Sequence, residues 1–402
     1  MIDDGKYNNQ FKSWKKVKLK EVCTDFIVPM RDKPKIFDGE IPWCRIEDAE
    51  GNYLNNSKSG QCVSEKIVNE MNLKIFPTGT VICSCSASIG TYLINTRPLI
   101  TNQTFIGIVT GDKLKNLYLR YYMETQTKRL MMISNASTIP YISRKKFEDM
   151  IIPLPPLEEQ QKIIDILSTQ DKVIELKEKL LKEKEKQKKY LMQNILTGRK
   201  RLKGFEGEWK KVKLGEIGDM YAGGTPSTLN MDYWDNGTIK WIQSGLLQNN
   251  FISGQSIKKF ITIEGLNNSS AKIIKNDSVL IAITGATCAN IGYIDFEATA
   301  NQSVVSITPF QDNSIFIFYL LLIKKMEILK LQGGSAQGGV TLNDLKKIIL
   351  NLPPPEEQKA IAEILTTADK ELKLLQEELE EEKRKKKALM QLLLTGIVRV
   401  EN

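Results

Sequence analysis

The sequence predicts an α+β chain: two globular lobes of mixed α and β structure joined by two long antiparallel coiled-coil helices, duplicated about a pseudo-twofold axis. Three observations predict it. The chain of 402 residues repeats its own motifs about 200 residues apart; each copy ends in a proline turn followed by a heptad-patterned stretch; and the segments between carry short apolar runs bounded by turn residues. The predicted boundaries are residues 1–156 for the first lobe, 157–198 for the first helix, 199–355 for the second lobe, and 356–402 for the second helix and C-terminal tail.

The duplication is legible in letters. Trp14-Lys-Lys-Val-Lys-Leu19 recurs as Trp209-Lys-Lys-Val-Lys-Leu214, and Leu154-Pro-Pro-Leu-Glu-Glu-Gln160 returns as Leu352-Pro-Pro-Pro-Glu-Glu-Gln358 at an offset of 198. That offset holds through Leu191-Met-Gln193 and Leu389-Met-Gln391, then through Leu196-Thr-Gly198 and Leu394-Thr-Gly396. Between these anchors the copies diverge, leaving weaker echoes: Trp43 with Trp241, Ile89-Gly90 with Ile291-Gly292, Asn102-Gln103 with Asn301-Gln302. A period this long excludes a solenoid of small repeats. Each unit is instead one variable lobe followed by one well-matched helix.

The helices start at their prolines, with Glu158, Glu159, Glu356 and Glu357 favoured by the N-terminal dipole. In the second copy Ile361, Leu365, Ala368, Leu372, Leu375 and Leu379 step by four and three, and the seam resumes at Leu389 and Leu393. In the first, Ile166, Val173 and Leu180 form one seven-spaced row and Leu167, Ile174 and Leu181 another. Gly198 and Gly396 sit where a helix closes on a left-handed residue. Each helix is therefore about 40 residues, or roughly 60 Å long. The charge runs Lys177–Lys189 and Glu377–Lys387 read as solvated faces.

In the lobes, Thr80–Cys83, Phe105–Val109, Ser278–Ile283 and Val304–Ile307 read as strands, and Leu117–Met132 and Ile315–Leu331 as amphipathic helices. Polar turn-rich segments supply surface: Asn135–Pro140, Gly223–Thr228 and Gly333–Gly339. Basic residues outnumber acidic ones by 22 to 16 in residues 1–156 and by 17 to 13 in 199–355, whereas the two helical segments together net −1. A polyanion would meet the lobes, not the rods.

Composition removes whole classes of chemistry. With no histidine, the chain has no Ser-His-Asp triad, no HExxH zinc site and no His-based acid–base pair. The six cysteines are read as reduced, mostly buried thiols of a cytoplasmic protein; Cys83-x-Cys85 is too tight for a zinc ribbon and no second pair follows. The N-terminal stretch carries no apolar signal core, and no 18-residue apolar run suits a membrane span. Gly223-Gly224 and Gly333–Gly339 lack phosphate-loop spacing and its lysine, and no dinucleotide fingerprint is present. Asn351-Leu-Pro-Pro-Pro355 lacks the aromatic residue of an amino-methyltransferase motif and sits at a helix start, and the acid pair Asp295-Phe-Glu297 has no lysine at nuclease spacing. No catalytic site and no metal site emerge.

The Trp-Lys-x-Val-x-Leu lobe starts, the Gly223-Gly-Thr-Pro-Ser227 turn, the Leu-Pro-Pro-x-Glu-Glu-Gln helix starts and the Leu-Thr-Gly helix ends resemble the specificity subunit of type I restriction–modification enzymes, across essentially the whole chain and twice in order. The resemblance implies two target-recognition domains, each reading one half of a split double-stranded DNA sequence, with the helix pair setting the spacer. It implies partners: two methyltransferase subunits docked on the helices, and restriction/translocase subunits. It also implies a non-catalytic chain, with S-adenosylmethionine and ATP/Mg bound only by those partners. The alternative reading is a coiled-coil protein scaffold that does not read DNA.

Physics gives the same expectation its shape. Two unlike lobes read two unlike half-sites, so the target is asymmetric and interrupted, unlike the palindrome of a homodimer. Each helix leaves one lobe and reaches the other, which makes the pair antiparallel. A 60 Å rod spans at most about 18 base pairs, and half-site centres are expected on the order of 10 base pairs apart. Base reading calls for Arg, Lys, Asn, Gln, Ser and Thr on loops. The candidates are Arg31, Lys33, Arg45, Gln103, Ser137, Thr138 and Arg144 in the first lobe, and Thr225, Ser227, Gln302, Ser335, Gln337 and Thr341 in the second. Trp43 and Trp241 are expected in the core, not as stacking platforms.

Overall fold

The structure, a computed structural model, describes residues 14–86, 88–134, 141–332 and 339–400. It divides into two compact units, residues 1–178 with 378–402, and residues 179–377.

In the first unit the elements run β1 (Lys15–Lys18), β2 (Cys23–Ile27), β3 (Ile41–Cys44), β4 (Cys62–Val63), α1 (Glu65–Glu70), β5 (Val81–Ser84), β6 (Tyr92–Ile94), β7 (Ile100–Thr101), β8 (Phe105–Thr110), α2 (Asn116–Thr125), α3 (Thr127–Ile133), α4 (Arg144–Glu148), β9 (Ile151–Leu154) and α5 (Leu157–Ile195). A four-stranded sheet orders β2-β8-β5-β6, a three-stranded sheet β4-β3-β7, and β1 pairs with β9 alone. The central strand β5 is buried at every residue, which is why it reads as an unbroken apolar run. Its neighbour β8, with α2 and α4, completes a core around Val81, Ile106, Tyr118 and Phe147.

The second unit repeats the plan: β10 (Lys210–Lys213), β11 (Gly218–Ala222), β12 (Ile239–Ile242), β13 (Asn250–Phe251), β14 (Phe260–Ile261), α6 (Ile263–Asn267), β15 (Ser278–Ala282), β16 (Ile291–Ile294), β17 (Thr299–Ala300), β18 (Val304–Pro309), α7 (Ser314–Ile323), α8 (Lys325–Lys330), α9 (Leu342–Lys346), β19 (Ile349–Leu352) and α10 (Pro355–Leu394). Its sheets order β11-β18-β15-β16-β13, β14-β12-β17 and β10-β19; the added strand is β13, parallel to β16. The repeated Lys-Lys-Val-Lys motif thus has one job in both copies. It lies antiparallel on the strand before the long helix, with Lys15 opposite Leu154 and Lys210 opposite Leu352.

Two expectations change in detail. The stretches 117–132 and 315–331, read as single helices, are each two: α2 and α3 break at Gln126, α7 and α8 at Lys324. At the first break Thr125 and Thr127 hydroxyls donate to the carbonyls of Tyr122 and Glu124. Such back-bonding bends a helix. The Ile89-Gly90 echo is also coincidental. Gly292 lies in β16 opposite Leu280, whereas Leu93 occupies that place opposite Ile82 and Gly90 precedes the strand.

Each unit contains half of both long helices. In the first, Gln170 donates to Glu382 at 2.7 Å, Lys177 meets Glu378 at 2.6 Å and Lys383 meets Glu178 at 3.0 Å. In the second, Lys184 meets Glu371 at 2.6 Å and Lys188 pairs with Asp369. Rising numbers meet falling ones, so the helices are antiparallel within each unit. Leu167, Ile361, Leu365, Leu379 and Leu393 are buried along the seam, while Ile166 and Leu180 of the other row lie outside it. Several lysines of the charge runs are therefore cross-helix partners and not merely solvated, a departure from the sequence reading with a simple cause: antiparallel packing sets the lysine-rich end of α5 against acids of α10.

The Glu-Glu-Gln motif does more than complement a helix dipole. Trp14 donates its indole N–H to Glu159 at 3.0 Å, and Arg399 grips the same carboxylate through Nε at 2.6 Å and Nη2 at 2.7 Å. In the second unit Trp209 and Arg201 do this to Glu357, the arginine through Nε and Nη2, both at 2.7 Å. Each guanidinium also lies over its tryptophan ring, at 5.1 and 5.7 Å. Gly396 and Gly198, at φ +76° and +70°, turn the chain against those rings. The neighbouring glutamines, Gln160 and Gln358, are buried and accept from the backbone N–H of Lys115 and Asn313, which ties each helix start to the turn before α2 or α7. Burial works to raise the Glu159 carboxyl, but Arg399 and Trp14 outweigh it and hold it below the usual glutamate range.

Candidate nucleic-acid interface

In both lobes three strand ends are stitched into one rim. In the first, the N–H of Asn102 donates to Cys44 O at the end of β3, Cys85 N–H donates to Thr104 O, and Ile142 N–H donates to Cys85 O at 2.8 Å. In the second, Asn301 donates to Ile242 O, Ile283 to Ser303 O and Val340 to Ile283 O, the last two at 2.9 Å. The rim therefore joins the ends of β3 and β5 to the turn before β8, or β12 and β15 to the turn before β18. Gln103 and Gln302 stand exposed on those turns. The short turn, closed by Phe105 N–H to Asn102 O or Val304 N–H to Asn301 O, leaves the glutamine side chain no inward direction.

In the first lobe Arg45 and Gln103 flank stitched rim residues, Arg45 following Cys44, whose carbonyl takes the Asn102 N–H. The Arg45 guanidinium lies 5.7 Å from the centre of the Trp43 ring and its Nε is 3.0 Å from Glu47 Oε1. Lys33 lies 5.4 Å from Trp43 and 6.0 Å from Phe37. Arg31 is within electrostatic reach of Tyr141: burial raises that phenol's pKa, and the arginine's charge works the other way. Arg144 has a partner of its own. It opens α4 and is paired with Glu148 at 2.6 Å, one turn along the same helix. Ser137 and Thr138 lie outside the described residues.

In the second lobe the Thr225 hydroxyl donates to Gln302 Oε1, so two of the candidates touch. The loop that carries Thr225 and Ser227 is fixed from beneath: Trp241 donates to Gly224 O and Trp234 to Ser227 O, each at 3.0 Å, and the two rings meet edge-on. Gly223 and Gly224 pass so close to Ala300 and Ser270 backbone that a Cβ would fall within 2.4 Å of it, which is why the turn needs two glycines. Ser227 Oγ faces the Leu229 N–H as a turn residue. Thr341 caps α9, accepting from Asp344 N–H at 3.2 Å and donating to its carboxylate at 2.6 Å. Ser335 and Gln337 lie outside the described residues.

Sequence reading missed two residues here. Gln243 follows β12 as Arg45 follows β3 and is exposed; stepping two residues on from each matched tryptophan would have found it. Lys259 lies over the Trp241 ring at 5.8 Å, and no local signal marks it, because only the pairing of β14 with β12 brings it there. Trp43 and Trp241 are each 4% exposed, core residues roofed by cations. Four of the six cysteines are buried, and burial pushes the Cys44 thiol up to about 12 and Cys85 to about 11. Among the described residues no cluster of acids and cysteines has the makings of a metal site, and no helix is long and apolar enough to cross a membrane.

The type I restriction modification DNA specificity domain matches the chain twice, over residues 12–186 and 206–383. The MjaVIII type I restriction enzyme specificity subunit of Methanocaldococcus jannaschii is 29% identical over 402 residues, covering 94% of this chain and 93% of its own. The MjaIX specificity subunit of the same organism is 27% identical over 366 residues, 85% of this chain and 84% of its own. Among solved structures, the type I restriction–modification S subunit from M. genitalium shares the fold at a TM-score of 0.60 and 15% identity, over 97% of this chain and 98% of that one.

Proposed function

We propose, from the premise that this chain belongs to the type I restriction–modification DNA specificity family, how its parts divide the work of recognition. The chain is the DNA-recognition subunit of such a complex, and each lobe reads one half of an asymmetric, bipartite duplex. The observation that carries this reading is that one DNA specificity domain recurs twice on two lobes whose shared rim is furnished with different side chains: Arg45 and Gln103 in one, Gln243, Gln302 and Thr225 in the other. Identical rims would read identical words; these do not. A protein scaffold indifferent to DNA would not account for two DNA specificity domains.

Arginine offers a bidentate pair to guanine and glutamine to adenine, each worth about 1–3 kcal/mol of discrimination. Lys33 and Lys259, held over buried tryptophans beside the rims, suit phosphate oxygens, which position the duplex without reading it. Arg31, Ser137, Thr138, Ser227, Ser335 and Gln337 are proposed as further DNA contacts, while the capping of Thr341 and the ion pair of Arg144 support structural roles for those two. The helix pair sets the spacer and docks two methyltransferase subunits. In support, Ile166 and Leu176 on α5 and their counterparts Ile364 and Leu374 on α10 are all exposed, giving two matching apolar sites. Restriction/translocase subunits join through that assembly. Methyl transfer and cleavage, with S-adenosylmethionine and ATP/Mg, belong to the partners, and the complex works on DNA in the cytoplasm.

A lobe exchange tests this. Replacing residues 1–156 with the first lobe of a relative, in the methyltransferase-bound complex, should alter one half-site in modified-base sequencing and leave the other intact. Simultaneous change of both half-sites would refute one lobe for one half.

A further inference from the structure

Each lobe meets the long helices at a polar triad that the motifs do not announce. In the first unit the Tyr121 hydroxyl of α2 donates to Asp171 Oδ2 of α5 at 2.8 Å, and Lys386 of α10 meets Asp171 Oδ1 at 2.7 Å while its ammonium lies 5.8 Å from the Tyr121 ring. In the second unit the Tyr319 hydroxyl of α7 donates to Asp369 Oδ2 of α10 at 2.5 Å, and Lys188 of α5 pairs with the same carboxylate and lies 5.6 Å from the Tyr319 ring. All three members recur at the offset of 198, with the two long helices exchanging roles. Both triads join three elements at one carboxylate: the lobe helix, the rod helix that carries the aspartate, and the rod helix that carries the lysine.

We infer that these Tyr–Asp–Lys triads are positioning residues that fix the angle at which each lobe is held on the helix pair, and so limit the spacer lengths the complex accepts; this rests on the DNA-reading function proposed above. Apolar packing and the triad differ in directionality. The rings of Tyr121 and Tyr319 are buried at 1% and 0% exposure, so apolar packing already holds each lobe on the helices. That force is non-directional and tolerates small rotations. A hydrogen bond to a charged acceptor weakens steeply as its angle departs from linear, so the triad supplies the angular restraint. Burial raises both phenols' pKa, so each remains a donor across the working pH range. Base reading, by contrast, happens at the strand-end rim, which none of the triad residues enters.

The surroundings predict an inequality. Asp171 also accepts from Asn52 Nδ2 at 2.8 Å, and Lys386 also reaches Glu124 at 3.3 Å, with the buried Arg120 alongside. Around Tyr319 the lobe supplies the rings of Phe318 and Phe251, and the nearby Thr366 hydroxyl belongs to α10 itself, so none of these offers a substitute donor from the lobe. Losing the Tyr319 hydroxyl should therefore loosen its lobe more than losing that of Tyr121.

The test uses the methyltransferase-bound complex and competing duplexes of two kinds: native half-sites with the spacer lengthened or shortened by one base pair, and the native spacer with one half-site base changed. Tyr319→Phe keeps the ring and should lower the preference for the native spacer about tenfold, the worth of one hydrogen bond to a charged group. Tyr121→Phe should lower it less, and Asp369→Asn, which keeps the shape but removes the charge, should act in the same direction as Tyr319→Phe. Base preference should stay at the unsubstituted value throughout. Unmoved spacer preference in Tyr319→Phe and Asp369→Asn, or a fall in spacer and base preference together, overturns the inference. An unsubstituted complex that prefers neither bases nor spacer would instead overturn the DNA-reading function itself.

Discussion

A single carboxylate shows how much of this protein hangs on individual side chains. Glu159 is 8% exposed and is gripped by Arg399 and Trp14, so replacing it with glutamine leaves a guanidinium with a weaker acceptor and should cost about 2 kcal/mol in denaturant unfolding. Because its folded pKa lies below the ordinary value, the clasp contributes fully above about pH 4.3, the reference for an unfolded glutamate, and loses its contribution as pH falls through the lower folded value. Glu159→Gln should therefore flatten the acid limb of the unfolding curve; an unchanged limb would locate acid sensitivity elsewhere. The thiols give a second check. Burial lifts Cys23 and Cys44 to about 12, so at pH 8 a thiol reagent should label neither in the native protein on a timescale that labels both after unfolding. At the rim, Arg45→Ala should relax base preference by about 1–3 kcal/mol in one half-site only, and Lys259→Ala should weaken all duplexes alike while lowering the salt slope by about one. Base-selective loss from Lys259→Ala would move that lysine into the reading set.

The elements were legible to different depths. The long helices could be read because heptad spacing, proline starts and glycine ends are local signals, and the burial of Leu365, Leu379 and Leu393 follows that seam. The strands β5, β8, β15 and β18 could be read because buried strands are continuous apolar runs. What escaped was non-local. The clasp unites residues 14, 159 and 399, and no window of sequence spans them. The helix breaks at Gln126 and Lys324 escaped because neither glycine nor proline marks them. The rim was half legible: Arg45, Gln103 and Gln302 declare themselves as polar residues beside matched anchors, whereas Lys259 depends on strand pairing; Thr341 also caps α9 and Arg144 also pairs with Glu148. Helix length is the quantity that sets the spacer in the proposed function. One added helical turn in α5 near Lys184 and in the facing part of α10 should shift the preferred spacer and leave both half-sites unchanged, as read by modified-base sequencing. The same spacer in the lengthened protein would refute the helices as its ruler.

For the molecule as a whole, the proposed docking predicts a stoichiometry. Matching exposed residues on α5 and α10 predict two methyltransferase subunits per chain, which light scattering on the co-purified complex will count. Ile166→Glu should remove one of them and Ile166→Glu with Ile364→Glu both; loss of both subunits from the single variant would mean one shared site. The duplication also has a temporal side. The second unit is one continuous stretch of chain, residues 179–377, whereas the first is closed only by residues 378–402, whose Met390, Leu393 and Leu394 enter its core. The half synthesised first must therefore wait for residues 378–402, while the half synthesised second needs nothing beyond residue 377. A released chain truncated after residue 377 should already resist protease over its C-terminal half and still be cut readily in its N-terminal half, the reverse of the order of synthesis.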